Sequence, residues 1–437
     1  MENDVAEALG ADIILPKSSM KPALPEKSAL VRLCFGDAQL FEGVTTYPAI
    51  VVLRKAVGEG EVDYLVIEGE PPEDLSRAFR ATSRKMSRSR LGTGSWRVED
   101  EGLATLRDKI TRGRKTLGEV FGAPLYGIKT GLNEAFVIDT PARDRLVAAD
   151  PKSAELLKAF LRGEDVKRWR VEPEGLWLIN TPRGKVDIDA YPALRDWLLS
   201  FKPELEKRAT KQEWFELQQA QLAYQPKLEG PKIVWGHFQH DASFCVDRTD
   251  SYLNNKCFFV ALDDSALCAL LNSKVLWAEL RSKARIKQGQ YIEAEAQYVE
   301  QLPIPDMSPA DRETLAALGQ TCTDAAQRRY EIQSAVRRRI LDLVPAGKAK
   351  LSGKLHDWHE LDFTAFRAEV KAKFRADIPL KERGEWEAWL AERRAEVKEL
   401  SDVITRAEAE IDRVVYALFD LSPDEVALLE ASLQGQY

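Results

Sequence analysis

Apolar positions near the C-terminus fall on a helical stripe. Leu390, Val397, Leu400, Ile404, Ala407, Ile411, Val414 and Leu418 recur mostly at alternating steps of three and four, with Arg393 interrupting the series. This spacing keeps one face apolar and predicts a helix over about 385–418, in an antiparallel helical hairpin or a short coiled coil. Upstream, Ser308-Pro-Ala-Asp311 has the order of a capping box with proline at the first helical position, so a long helix is expected to follow it. Ser422-Pro-Asp-Glu425 repeats the pattern before a final short helix.

The middle of the chain alternates short strand-like and helix-like runs. Leu176–Ile179, Lys232–Trp235 and Cys257–Val260 read as strands. Asp150-Pro151 and Tyr191-Pro192 place proline where helices begin, and Ser265 to Leu280 reads as one apolar helix. Nearer the N-terminus, Ala49 to Leu53 is a short apolar run suited to a buried strand, residues 101–112 suit a short helix, and the prolines within 11–27 predict irregular backbone. The fold class that follows is α+β: a mixed α/β region, then a helical C-terminal region. Four segments are expected, at 1–75, 76–118, 119–305 and 306–437.

A length of 437 residues and 44% hydrophobic content suit a folded protein of two or three domains. No run of about 18 apolar residues is present, so no membrane partner is expected. The acidic start lacks a secretory pattern, and the five cysteines contain no CxxC pair, which suits a reducing cytoplasm. The net charge of −7 hides a local excess: Arg77 to Lys115 holds twelve Lys/Arg against four Asp/Glu. Arg84, Lys85, Arg88 and Arg90 in this stretch are candidates for neutralising phosphates.

The densest candidate chemistry lies in Tyr126-Gly-Ile-Lys-Thr-Gly-Leu-Asn133, where Lys129, Thr130 and Asn133 offer donors beside a glycine turn. Asn254 and Asn255 offer amides that can pair bidentately with adenine. Bland readings compete: a basic run is often a solvated loop, and an Asn pair is often a turn. His237-x-x-His240 and His356-x-x-His359 lack the further ligands that zinc requires, so no metal is expected. Asp165-Val-Lys167 has half of a nuclease signature without an upstream partner, and Ala346-Gly-Lys348 lacks the rest of a phosphate-binding loop.

The ordered set of Tyr126 to Asp139, Phe160-Leu-Arg-Gly-Glu-Asp-Val-Lys-Arg-Trp169, Tyr252-Leu-Asn-Asn255 and Tyr298-Val-Glu-Gln-Leu-Pro-Ile-Pro305 resembles the TaqI-like C-terminal specificity domain of adenine-N6 DNA methyltransferases. Trp358-His-Glu-Leu-Asp-Phe363 and 410–425 resemble the way such specificity subunits finish, and 31–55 resembles the last strands of the methyltransferase sheet. The resemblance implies a domain that reads double-stranded DNA in a restriction-modification or phage-exclusion system. It adds Lys167 and Arg168 to the candidate DNA contacts, together with Arg281, Lys283, Arg285, Lys287, Gln290 and Tyr291. The last six align with a basic family segment that is usually richer in glycine.

The catalytic half implied by the family is mostly missing. Methyl transfer from S-adenosylmethionine needs a glycine turn after a strand and, in this family, an Asn-Pro-Pro-Tyr loop that holds the flipped adenine. Gly92-Thr-Gly94 lacks the preceding strand, Asn180-Thr-Pro182 lacks the second proline and the aromatic, and Pro71-Pro72 lacks the asparagine. The expectation is a recognition chain without catalytic or cofactor-binding residues of its own. A separate methyltransferase chain would then carry S-adenosylmethionine. The alternatives are a helical protein-interaction scaffold, or the product of an interrupted methyltransferase gene with vestigial DNA binding.

Overall fold

A computed structural model describes residues 30–34, 49–53, 60–67, 72–87, 100–343 and 350–434. Residues 11–27, Arg88, Arg90, Gly92-Thr-Gly94 and Ala346-Gly-Lys348 lie outside them. The chain is α+β and divides into two compact units. Met1–Gly113, Ile286–Tyr291 and Ser422–Tyr437 make the first, and Arg114–Arg285 with Ile292–Leu421 the second.

In the first unit the apolar run Ala49–Leu53 is a strand, as its composition predicts. It pairs antiparallel with Leu30–Cys34, which pairs parallel with Glu61–Val66, and Arg84–Ser87 closes the far side. Arg84 and Lys85 are therefore on a strand and not in a loop. Leu75–Thr82 is a helix whose N-cap, Asp74, accepts from the Arg77 amide at 2.9 Å. Glu101–Thr111 starts at Asp100 and buries Leu103, Leu106 and Ile110. The predicted capping box at Ser422 is formed, and its acidic member, Glu425, also meets Lys109 at 2.7 Å.

The second unit holds two four-stranded sheets. One runs in the order Tyr252–Leu253, Leu157–Leu161, Leu176–Ile179, Val137–Asp139. The other runs Phe244–Asp247, Lys232–Gly236, Cys257–Val260, Leu125–Tyr126. Phe136, Phe160, Leu178, Ile179, Val234, Leu253 and Phe259 share one core. Fully burying such a side chain contributes about 1.5–3 kcal/mol. Lys232 and Asp247 face each other across two strands, both wholly buried, at 3.0 Å. The Lys232 ammonium also donates to the Thr249 carbonyl, and Thr249 donates its amide and hydroxyl to Asp247 Oδ1, while Asp247 Oδ2 faces the ammonium as an ion pair without a hydrogen bond of its own.

The single helix expected from Ser265 to Leu280 is instead two, Ser265–Leu271 and Lys274–Lys283. Ser273 adopts an extended conformation and caps the second helix through the Leu276 amide. Asn272 spends its carboxamide on the backbone of Phe244, accepting from its N–H at 3.1 Å and donating to its carbonyl at 2.9 Å. Side-chain bonding of this kind competes with helix continuation, and the apolar pattern does not register it.

The Ser308 capping box is formed and opens a helix over Pro309–Leu341. The striped segment is a helix over Arg383–Leu418 that buries Leu390, Val397, Ile404, Ala407, Ile411 and Val414. The two long helices pack together. Ile332, Val336, Ile340, Leu390 and Val397 join Leu355, Trp358, Phe366, Val370 and Ile378 in a second core. A Cβ on Gly319 would come within 2.5 Å of the Ser265 carbonyl, so glycine there lets two helices approach closely. Among the described residues no helix is long and apolar enough to cross a membrane.

Candidate nucleic-acid interface

The loop that begins at Tyr126 is fixed by backbone before any side chain is considered. The Gly127 amide donates to the Cys257 carbonyl and the Ile128 amide to the Leu253 carbonyl. A Cβ on Gly127 would stand 2.1 Å from the Asn254 carbonyl oxygen and 2.2 Å from that of Leu253. Only glycine allows this approach. Next, Lys129 exchanges both backbone hydrogen bonds with Gln219, at 3.1 and 2.9 Å. Two segments far apart in sequence, around 126–129 and 252–255, thus share one rigid base.

Past Lys129 the loop is closed from below. Arg208 donates to the carbonyls of Thr130, Leu205, Trp214 and Glu216. Burial lowers the pKa of its guanidinium. Gly131 has φ +85°, and a Cβ there would meet the Arg208 stem at 2.8 Å. Thr130 is buried and donates to Asn133 Oδ1 at 2.7 Å, while Asn133 itself is exposed. Tyr224 donates its hydroxyl to the Tyr126 carbonyl, and burial pushes that hydroxyl up to about 12.

Lys129 and Asn255 emerge on one shallow cavity of about 420 Å³, with Tyr126, Gln219, Phe258, Glu295, Ala296 and Gln297. Lys129 is exposed, and so is 41% of Tyr126. The cavity presents a cation, three amides, a carboxylate and two aromatic rings on a fixed backbone. Such a set can hydrogen-bond base edges and stack on them. Asn254 is committed to the turn, because its side-chain oxygen accepts from the Lys256 amide at 3.0 Å.

The other predicted contacts lie elsewhere. Lys167 is exposed on a second, polar cavity of about 630 Å³, together with Arg170, Glu172, Arg329, Tyr330 and Arg337. Burial pushes the Arg170 guanidinium down to about 10. Arg168 faces inward: it donates to Glu408 and, at 2.8 and 2.9 Å, to the carbonyls of Ala242 and Asn272. That web gives it a structural task. Lys283 meets the buried carboxylate of Glu279 at 3.3 Å, Arg281 sits half-buried on the same helix, and Arg285 is exposed. Lys287, Gln290 and Tyr291 belong to the first unit, in a turn where the Lys287 amide donates to the Tyr291 carbonyl at 2.6 Å. Arg84 and Lys85 are exposed there too, with Lys85 paired to Glu61 at 2.7 Å.

Gln219, Phe258, Glu295 and Gln297 were not among the residues expected from sequence. They lie on three segments, with Glu295 and Gln297 at the start of one short helix, and none has a local pattern that marks it. Placement beside Lys129 is the only signal they carry.

Residues 158–304 match the TaqI-like C-terminal specificity domain, as the resemblance of the 160–169, 252–255 and 298–305 segments implies. Residues 308–415, with both long helices, match a domain of unknown function, DUF8810. No curated protein matches the sequence. Among solved structures, the Type IIL restriction-modification enzyme MmeI in complex with DNA is similar at 9% identity and a TM-score of 0.49, over 93% of this chain and 46% of that one. The chain therefore spans less than half the length of that enzyme.

Proposed function

We propose that this chain recognises a DNA target in an adenine-N6 methyltransferase or restriction-modification system, with catalysis on a separate chain. The observation that carries this is the match of 158–304 to the TaqI-like C-terminal specificity domain. The cavity at Lys129 supports it, since donors and rings are set there on a backbone that glycine locks. The exposed Arg84 and Lys85 supply charge suited to phosphates. Lys129, Asn255, Gln219 and Gln297 contact base edges, and Tyr126 and Phe258 offer stacking surfaces. S-adenosylmethionine and the Asn-Pro-Pro-Tyr chemistry belong to the partner, and the complex acts in the cytoplasm.

The test is selection of a preferred duplex from a random library by the purified chain. Affinity of Lys129→Ala and Asn255→Ala is then measured on that duplex and on one-base variants at fixed salt. Removing a bidentate interaction takes away about 1–3 kcal/mol of preference at one position. An unchanged ratio between matched and mismatched duplexes would assign these residues to positioning only. Failure to enrich any duplex, with or without a methyltransferase chain, would remove the reading. Binding of S-adenosylmethionine to the isolated chain would remove the division of labour.

A further inference from the structure

The sequence pairs His237 with His240, but the fold separates their environments. His240 is exposed beside Asp241. His237 is only 7% exposed and lies against two glutamates from a distant segment. The strand pair Phe238–Gln239 and Ile292–Glu293 brings them in, and the Ala294 amide donates to the His237 carbonyl at 2.7 Å. One ligand atom each from His237, Glu293 and Glu295 lies within 4.8 Å of the others. Nε2 of His237 stands 3.5 Å from the Glu295 carboxylate, is buried, and has no hydrogen-bond partner. A buried polar atom left this way is costly unless something else occupies the space it faces.

We propose that His237, Glu293 and Glu295 bind a divalent transition-metal cation such as Zn²⁺ or Mn²⁺. One imidazole and two carboxylates suit these ions, and three protein ligands leave a position for water. Mg²⁺ is a poorer fit, because it prefers oxygen and keeps its waters. Phe238 and Phe258 flank the imidazole at 4.4 and 5.9 Å between ring centres and shield it. Burial and the Lys256 ammonium hold the imidazole pKa below its usual value, against the pull of the two glutamates.

Lys256 is the opposing group. Its Nζ lies 3.3 Å from Nδ1, so donation from the ammonium places the ring proton on Nε2. Cation binding at Nε2 requires the other tautomer: the single ring proton passes by way of solvent from Nε2 to Nδ1, with no net loss from the neutral ring, and the ammonium of Lys256, which is exposed, moves off Nδ1. The site would fasten Glu295, at the edge of the Lys129 cavity, to the strand end at His237.

The experiment uses the full chain, stripped with chelator and dialysed. Calorimetry and thermal unfolding are run with Zn²⁺, Mn²⁺ and Mg²⁺ separately, with no DNA present. One Zn²⁺ or Mn²⁺ per chain and a raised Tm are expected, with no response to Mg²⁺ at the same concentration. Glu295→Gln, at a half-buried position that tolerates an amide, should fold as wild type and bind at least about tenfold more weakly. His237→Gln should lose binding, and Lys256→Met should tighten it. Absence of binding by any of the three cations overturns the proposal. So does binding that Glu295→Gln and His237→Gln leave unchanged. Because DNA is absent, either result is independent of the recognition function.

Discussion

Glu408 accepts hydrogen bonds from two consecutive residues that precede it by 240 and 239 positions: Arg168 through Nε, and Trp169 through Nε1 at 2.6 Å. Glu408 lies on the Arg383–Leu418 helix, while Arg168 and Trp169 lie in the turn between Val166–Lys167 and Arg170–Val171. One carboxylate thus ties the specificity-like region to the C-terminal helices within the second unit. Trp169 is 2% exposed and adopts φ +72°, so its indole is held at a backbone conformation that few bulky residues take.

Glu408→Gln removes the charge but keeps the shape. Both charged side chains are about a quarter to a third exposed, so solvent screens part of the loss. A stability decrease of about 1–3 kcal/mol is expected, read as a lower urea midpoint at unchanged slope. DNA preference should stay as in wild type, because the pair faces inward. A shift in base preference without a stability change would instead put Arg168 on the DNA.

Gly127→Ala tests the rigid base. The added Cβ meets two backbone carbonyls at 2.1 and 2.2 Å, which no side-chain rotation relieves. The strand end or the 253–254 segment must move, at about 1–3 kcal/mol. Discrimination between matched and mismatched duplexes should fall even where the folded fraction is restored by lower temperature. Wild-type discrimination would mean that the loop does not position the readers.

His359 predicts an acid-side slope in stability. Burial lowers its pKa, with Arg337 and Arg329 adding to the shift and Glu360 and Asp357 opposing it. Gln333 approaches its ring at 3.4 Å. A base with a depressed folded pKa is protonated first in the unfolded chain. Its contribution is therefore intact above the unfolded value of about 6.5 and is lost as pH falls toward the folded value. Urea midpoints from about pH 8 to about pH 5 should show a smaller decline for His359→Gln than for wild type. An identical decline in both would assign the acid sensitivity elsewhere.

Arg84 and Lys85 test the electrostatic part of DNA binding, together with Arg88 and Arg90. Replacement by alanine should weaken binding to all duplexes alike. For every phosphate that a replaced cation had neutralised, the log-affinity against log-salt slope should flatten by about 0.9. Lys85 first has to leave Glu61, so its own contribution should be smallest. An unchanged slope would show that these cations do not meet phosphates.

The sequence determined what depends on neighbours along the chain. The boxes at Ser308 and Ser422 were legible because a cap, a proline and an acid three residues on are local chemistry. The stripe from Leu390 to Val414 was legible because a helix turns period into a face. The similarity of 158–304 to a specificity domain was legible in the same way, through short ordered motifs. Tertiary structure alone decided which donors meet. Lys129 and Asn255 share a cavity with Gln219 and Glu295 because strand pairing crosses long sequence separations, and a linear pattern carries no record of that. It also turned Arg168 inward toward Glu408, broke the 265–280 helix at Asn272 and Ser273, and exchanged the His240 partner of His237 for Glu293 and Glu295. In each case the deciding interaction is a hydrogen bond or close approach between distant segments, fixed only when the backbone has closed.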